Sequence, residues 1–358
     1  MTSPEDFPFP GCGPEDQALF LAQGAGLWPA LDRCPLFVTG GSGFWGRWLL
    51  AGLAVAQRET GIRPQVTVLS RNPEAFRAAL PQLAAMPGLS LWPGDVRDFV
   101  FPPTPAHLIV HAATDTSRAA AARPCSLMET IVDGARRVLA YARASDSAGL
   151  LLASSGAIYG VQPPGLPQVP EDHPGAPRPT DPATAYGQAK RLAEQWCVAT
   201  GQETGLRAVL ARGFAFVGPH LPLDAHFAIG NFIRDALWAE HLFVHGDGRP
   251  QRSYLYAADL ALWLWTLLAR GQGGHAYNVG SDQAIRIADL ARLVAAQLAP
   301  PGRPAKPVRL AATPRDDGVS SIYVPAIGRA QTELGLAVWT DLPTAIRRTA
   351  RWAAGTRP

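Results

Sequence analysis

The chain has 358 residues, 47% of them apolar and 17% charged, with a formal net charge of +3. That length suffices for a large core in one or two α/β domains, and so weak a positive balance gives no reason to expect a nucleic-acid partner. No apolar run reaches membrane-spanning length, Met1 to Pro10 is acidic and proline-broken unlike a secretory leader, and Cys12, Cys34, Cys125 and Cys197 show neither disulfide nor metal spacing; a cytoplasmic protein with reduced thiols and no membrane contact is expected.

Taken in chain order, residues 1–34 read as an extension in which Pro14 to Leu31 has room for a helix. Strands are expected at Leu36–Val38, Gln65–Leu69, Leu89–Pro93, His107–His111, Gly149–Ser154 and Leu206–Arg212. Helical patterns fall between them at Trp45–Gln57, Pro73–Ala85, Ser126–Ala144 and Ala185–Gly201. Such alternation argues for right-handed crossovers and a parallel, Rossmann-type doubly wound sheet over residues 35–218, with ligands beyond the carboxyl ends of its strands. After Gly218 the elements shorten, separated by Pro219, Pro222, Gly246, Gly248, Pro250 and Gly274, and a helix follows at Ile287–Leu298. Residues 219–358 therefore read mainly as a smaller α/β substrate lobe, with a return to the first domain around 250–280. The aromatic helix Tyr256–Leu268, with Trp263 and Trp265, reads as core.

Three local patterns carry chemistry. Phe37-Val38-Thr39-Gly40-Gly41-Ser42-Gly43-Phe44-Trp45-Gly46 runs from an apolar strand through glycines spaced three apart into a helix. A dinucleotide site needs a tight turn, close backbone approach to a pyrophosphate, and a helix N-terminus against the anion; Gly40, Gly43 and Gly46 supply these in a variant spacing. Ser154-Ser155-Gly156 follows the fifth strand, where a hydroxyl can donate to a substrate oxygen that gains or loses charge. Tyr186 and Lys190 stand four apart, on one face of a helix. An ammonium beside a phenol favours the phenolate, so Tyr186 is expected to titrate below its ordinary value of about 10 and to exchange a proton with a sugar hydroxyl.

In this order and separation the patterns resemble the extended short-chain dehydrogenase/reductase family, the NAD(P)-dependent nucleotide-sugar epimerases and dehydratases. The resemblance spans about residues 35–340. It also takes in Gly94-Asp95-Val96, His111-Ala112-Ala113, Gly246-Asp247-Gly248, Arg252 to Asp259 and Tyr277-Asn278-Val279-Gly280. It implies Tyr186 as acid/base, Lys190 as its electrostatic partner on the nicotinamide ribose, and Ser155 with Gly156 at the sugar oxygen. Phe44, Trp45, Ala112 and Ala113 would line the cofactor, with Asp95 and Val96 beside the adenine. Arg252 matches an arginine that reaches a nucleotide phosphate. Asn231 matches an asparagine on the diphosphate, although a helix-end role suits it nearly as well. A homodimer through the helices 126–144 and 185–201 is implied by the same analogy.

Departures from the family pattern narrow the reaction. Dehydrating and decarboxylating members carry carboxylates in the segment matching Gly156-Ala157, and this chain has none there, so neither reaction has its placed base. Epimerisation through a 4-keto sugar, or reduction of such a ketone, remains; a cofactor-binding protein without catalysis is the competing class. Ser70 and Arg71 end the second strand where an acidic residue usually selects NAD, which favours NADP(H). Ile131 replaces a frequent asparagine. Ser320-Ser321-Ile322-Tyr323 lies where relatives often place another phosphate-binding arginine, for which Arg315 or a residue of the N-terminal extension could substitute. His111, His220, His226 and His245 show no metal spacing, and His226 reads first as a surface loop histidine, with a place in the sugar pocket as the alternative.

Overall fold

Alternate residues of each strand in the main sheet enter opposite cores, as strands buried on both faces must. Leu36 and Val38, Val66 and Val68, Leu108 and Val110, and Leu151 enter one core; Phe37, Leu69, Ile109, Leu150 and Leu152 enter the other. This computed structural model describes residues 9, 11–115, 117–225, 227–312 and 321–355. Its sheet has seven strands: β1 (Pro35–Thr39), β2 (Gln65–Ser70), β3 (Leu89–Pro93), β4 (Leu108–His111), β5 (Gly149–Ser155), β6 (Arg207–Gly213) and β7 (Ala276–Val279). All pairings are parallel, in the order β7-β6-β5-β4-β1-β2-β3. The strand order therefore reverses between β1 and β4, and the carboxyl ends of all seven strands share one edge.

Three helices cover the first core face: α1 (Pro14–Gly24), α2 (Phe44–Thr60) and, from late in the chain, Ala257–Arg270. On the second face α3 (Pro124–Ala144) packs along α4 (Ala185–Thr204). Trp263 and Trp265 are fully buried, and each indole N–H finds a carbonyl, Ala337 O at 2.9 Å and Leu49 O at 3.0 Å. Two expected elements differ. The helix read over Pro73–Ala85 breaks into Pro73–Ala79 and Pro81–Ala84, because Leu80, which precedes a proline, adopts φ −136° and ψ 55° outside the helical region. The extension folds into α1 and a separate 3₁₀ turn at Trp28–Leu31.

That extension is fastened to the body. Phe20 and Trp28 are fully buried, and the Asp16 carboxylate accepts from Arg348 Nη1 at 2.7 Å and from Tyr256 Oη at 3.1 Å. Burial raises the Asp16 pKa to about 6 against the opposing pull of Arg348.

Late in the chain the elements are short. Phe216–Val217 pairs in parallel with Leu255–Tyr256, and Leu242–Val244 with Val308–Leu310. Gln251–Arg252 lies between Ile285–Arg286, antiparallel, and Ile322–Tyr323, parallel.

Candidate active site

The glycine turn is dictated by contact distances. Gly40 has φ 75°, and a Cβ on it would stand 2.6 Å from the Ala112 carbonyl. On Gly46 a Cβ would reach 2.3 Å from Gly40 O, so α2 can start this close to β1 only without a side chain there. Gly43 caps α2, and its N–H donates to Gly40 O at 3.0 Å. This cradle at the carboxyl end of β1 leaves backbone N–H groups and a helix N-terminus for a pyrophosphate, so the residues present fit a dinucleotide.

Around the cradle, Trp45 places its ring edge on Phe216, 5.3 Å between centroids, and against Gly213, where a Cβ would meet it at 2.4 Å. Phe44 is half-buried beside Phe216. Ala113 N–H donates to Thr39 Oγ1 at 3.1 Å, and Thr39 Oγ1 also bonds His111 Nδ1 at 2.9 Å. His111 is buried, and burial with the Lys190 charge lowers its pKa to about 3, so it stays neutral. Val96 is buried against Gly134 of α3.

At the tip of β2, Ser70 is half-buried and Arg71 exposed. Asp95, just beyond β3, is held below the ordinary carboxylate range by its bonds from Arg97, with Arg71 adding to the effect. This corner therefore presents a basic side chain and an ionised carboxylate together.

On α4 the reactive residues project toward the ends of β4 and β5. Lys190 is 3% exposed, and its Nζ donates to Thr114 Oγ1 at 2.8 Å and to Ala153 O at 2.6 Å. Burial lowers its pKa to about 8 even with Glu194 pulling upward. The ammonium stands 5.9 Å from the Tyr186 ring centroid. Ser155 is buried, accepts from Ala157 N–H at 3.1 Å, and lies close enough to the Tyr186 hydroxyl to favour its ionised form. The expected depression of Tyr186 below its ordinary value is not found: burial raises it, and the Ser155 bond opposes that shift only in part. Desolvation of the phenol outweighs the help it receives from the Ser155 hydroxyl.

Other residues named from the sequence have settled partners. The Asn231 Nδ2 donates to Ala225 O at 3.0 Å and its Oδ1 accepts from Arg234 Nη1 at 3.2 Å, which braces the loop before helix Ala228–Trp238. Arg252 donates from Nη1 to Gln251 O at 2.7 Å and to Ser321 O at 3.2 Å, and lies 5.7 Å from the Tyr323 ring centroid. Gly156 is required by Phe214 and Tyr323, since a Cβ would stand 2.7 Å from one ring and 2.8 Å from the other hydroxyl. Ile131 is buried among apolar residues of the second core. His226, Arg315 and Ser320 lie outside the described residues.

Sequence reasoning missed several participants. Thr114 directly follows His111-Ala112-Ala113 and holds Lys190. Glu194, one further turn along α4, takes Ser154 Oγ and a two-pronged bond from Arg212, whose Nη1 also donates to Tyr159 Oη at 2.8 Å. Its spacing from Lys190 was the available signal. Ser154 is thereby structural, and Ser155 alone of the pair faces the phenol. A cavity of about 250 Å³ lined by Pro35, Gln65, Gly88 and Pro105 opens at the opposite, amino edge of the sheet, away from all of this chemistry.

The chain is similar to known proteins over most of its length. UDP-glucuronic acid decarboxylase 1 of Xenopus tropicalis is 29% identical over 264 residues, which are 74% of this chain and 60% of that one. The chain thus spans about 60% of the length of that relative. A trifunctional UDP-glucose 4,6-dehydratase/UDP-4-keto-6-deoxy-D-glucose 3,5-epimerase/UDP-4-keto-L-rhamnose-reductase of Arabidopsis thaliana is 38% identical over 111 residues, 31% of this chain and 16% of that one. Among solved structures, a double mutant of the dTDP-glucose 4,6-dehydratase DesIV from Streptomyces venezuelae, with NAD bound, superposes with a TM-score of 0.75 at 25% identity, over 90% of this chain and 97% of that one. RMD from Pseudomonas aeruginosa, complexed with NADPH, gives 0.68 at 23% identity over 90% and 99% of the two chains. A family model matches residues 36–280, from the first strand of the sheet through the last, and so takes in both the glycine cradle and the Tyr186–Lys190 pair: the chain belongs to the NAD-dependent epimerase/dehydratase family.

Proposed function

We propose that the chain is an NAD(P)-dependent nucleotide-sugar epimerase that oxidises and re-reduces the sugar at C4. The observation that carries this reading is the proton inventory of the site. Ser155, Tyr186 and Lys190 gather at the ends of β4 and β5, and among the described residues no carboxylate perturbs Tyr186. The nearby Glu194 is committed to Arg212 and Ser154, and Glu171 accepts the Asn278 N–H at 2.9 Å. A site equipped this way exchanges the proton of a hydroxyl but lacks a placed base for a carbon acid.

A dinucleotide held in the Gly40–Gly46 cradle would supply hydride acceptance and return. Ser155 holds the sugar oxygen, and Tyr186 takes its proton as C4 becomes a ketone. Lys190 keeps a positive charge close to the phenol and stabilises its ionised form. Tyr186 would give its proton back to the oxygen when the other face of the C4 ketone is reduced, which would invert the centre with no net use of cofactor. Asn231 and Arg252 are the candidates for the diphosphate.

Ser70 and Arg71 favour a second reading, a nucleotide-linked 4-ketosugar reductase that consumes NADPH. The exposed guanidinium at the tip of β2 suits a 2′-phosphate. Association as a homodimer through α3 and α4, which expose Met128 and Leu192, accompanies either reading. No helix among the described residues is long and apolar enough to cross a membrane.

The test is a panel of nucleotide sugars with NAD, NADP and their reduced forms. Conversion between C4 epimers without net cofactor use is expected. Stoichiometric loss of NADPH supports the reductase, and carbon dioxide release from UDP-glucuronic acid overturns both. Tighter NAD(H) than NADP(H) binding by the apo-protein rules out the phosphate preference.

A further inference from the structure

The short strand Ile322–Tyr323 brings a second phenol to the reaction centre. It runs parallel to Gln251–Arg252 with Tyr323 opposite Arg252. Its flanks are pinned: Val324 N donates to Gln162 Oε1 at 3.1 Å, Val169 N to Val324 O at 2.9 Å, and Asn278 Nδ2 to Ala326 O at 3.0 Å. The Tyr323 ring packs on Phe214 with 4.6 Å between centroids. Its hydroxyl lies 3.4 Å from the Gly213 carbonyl at the end of β6, and 2.8 Å from where a Gly156 side chain would begin. The Ser155 hydroxyl lies close enough to Tyr186 and to Tyr323 to favour the ionised form of either phenol.

One hydroxyl between two phenols has a single proton to give. Ser155 already accepts from Ala157 N–H, so that proton goes to one phenol or the other. Burial raises the Tyr323 pKa far above its ordinary value, and an ionised Tyr186 would raise it further. Tyr323 therefore stays protonated and must donate, and 3.4 Å is long for a bond to Gly213 O. Once Tyr186 carries negative charge, the strongest arrangement runs from Tyr323 O–H to Ser155 Oγ, and from Ser155 O–H to the phenolate. A charge-assisted bond is the stronger kind, and each donor in such a chain polarises the next.

We propose that Tyr323 is a positioning residue that turns the Ser155 proton toward Tyr186 and so stabilises the phenolate used in the reaction. It rests on the acid/base reading of Tyr186 given above. The test compares the pH dependence of kcat for the parent, Tyr323→Phe, Ser155→Ala and the double variant, with a sugar nucleotide that the parent turns over. Tyr323→Phe keeps the ring stack, should move the acidic limb up by about half to one pH unit, and should lower kcat below that limb roughly three- to tenfold with KM nearly unchanged. In the Ser155→Ala background the same change should add nothing.

Superimposable pH profiles, or a further loss on top of Ser155→Ala, overturn the proposal. Should the phenylalanine variant fail to bind cofactor, Tyr323→Met removes the donor in another way and must give the same shift. Ultraviolet titration of the cofactor-loaded protein, with Tyr186→Phe as blank, reads Tyr186 ionisation without any sugar. A protein inert toward every sugar nucleotide sinks the epimerase reading, while an unmoved Tyr186 titration in Tyr323→Phe sinks this one.

Discussion

Lys190 and Glu194 stand one turn apart on α4, buried at 3% and 6% exposure, yet the fold treats them differently. Glu194 faces the Arg212 guanidinium in a two-pronged ion pair, reinforced by Ser154 and by the Tyr159 hydroxyl behind Arg212. Lys190 has two neutral acceptors, Thr114 Oγ1 and Ala153 O, and among the described residues no bonded counter-charge. The consequence shows in the two cations: burial lowers Lys190 to about 8, whereas Arg212, which burial also pulls down, is held well above its ordinary value by Glu194 and Tyr159 together. A structural charge is fully compensated, and a working charge is left exposed to what happens beside it. One end of the helix carries the residues proposed for chemistry and the other attaches it to the sheet.

If that division holds, replacements at the two ends should fail in different assays. Tyr186→Phe should lower kcat by about two to four orders of magnitude while the denaturant midpoint and cofactor affinity stay near those of the parent. Unchanged turnover would remove the tyrosine mechanism. Arg212→Met should do the reverse, costing about 3–5 kcal/mol of stability because Glu194 is left buried and uncompensated. A midpoint within experimental error of the parent would show that Glu194 reaches solvent and that the pair is not structural.

What the sequence revealed depended on the kind of constraint. Gly40 and Gly46 were legible because backbone clearance at 2.6 Å and 2.3 Å admits no other residue, and such demands write themselves into residue identity. The sheet was legible through its alternating strands, apart from the short seventh strand at Ala276–Val279, which was expected only as a return of the chain toward the first domain. The break at Pro81 was overlooked although its cause is local. The Tyr186 shift was misjudged because a four-residue spacing shows where the ammonium points but not how deeply the phenol is desolvated. Tyr323 was hidden for another reason: no periodicity announces a residue whose partners, Ser155, Phe214 and Gly213, belong to other elements of the chain.

The protonation of Lys190 sharpens the same contrast. Its ordinary pKa of 10.5 falls to about 8 in the folded chain, so between those values the unfolded chain binds more protons. Stability should therefore rise with pH across that window: the penalty for burying the ammonium is present in full below about pH 8 and is relieved above it. The difference in unfolding free energy between the parent and Lys190→Met isolates this contribution from other groups titrating nearby. It should change by about 3 kcal/mol across the window. A flat difference would mean that the ammonium keeps its hydration, and that Lys190 and Glu194 are not treated differently after all.

Thr114→Val gives the smallest expected effect. Valine fills nearly the same space but removes one of the two acceptors at Lys190 Nζ, leaving Ala153 O. A hydrogen bond to a charged group is worth about 1.5 kcal/mol at the low end, close to one pH unit of differential stabilisation. The rise of stability with pH should accordingly begin about one unit lower than in the parent. The Glu194–Arg212 pair does not share this hydroxyl, so Arg212→Met should cost the same in the parent and in the Thr114→Val background. Coupling between the two substitutions above about 0.5 kcal/mol in a double-mutant cycle would show that α4 carries one electrostatic network rather than two.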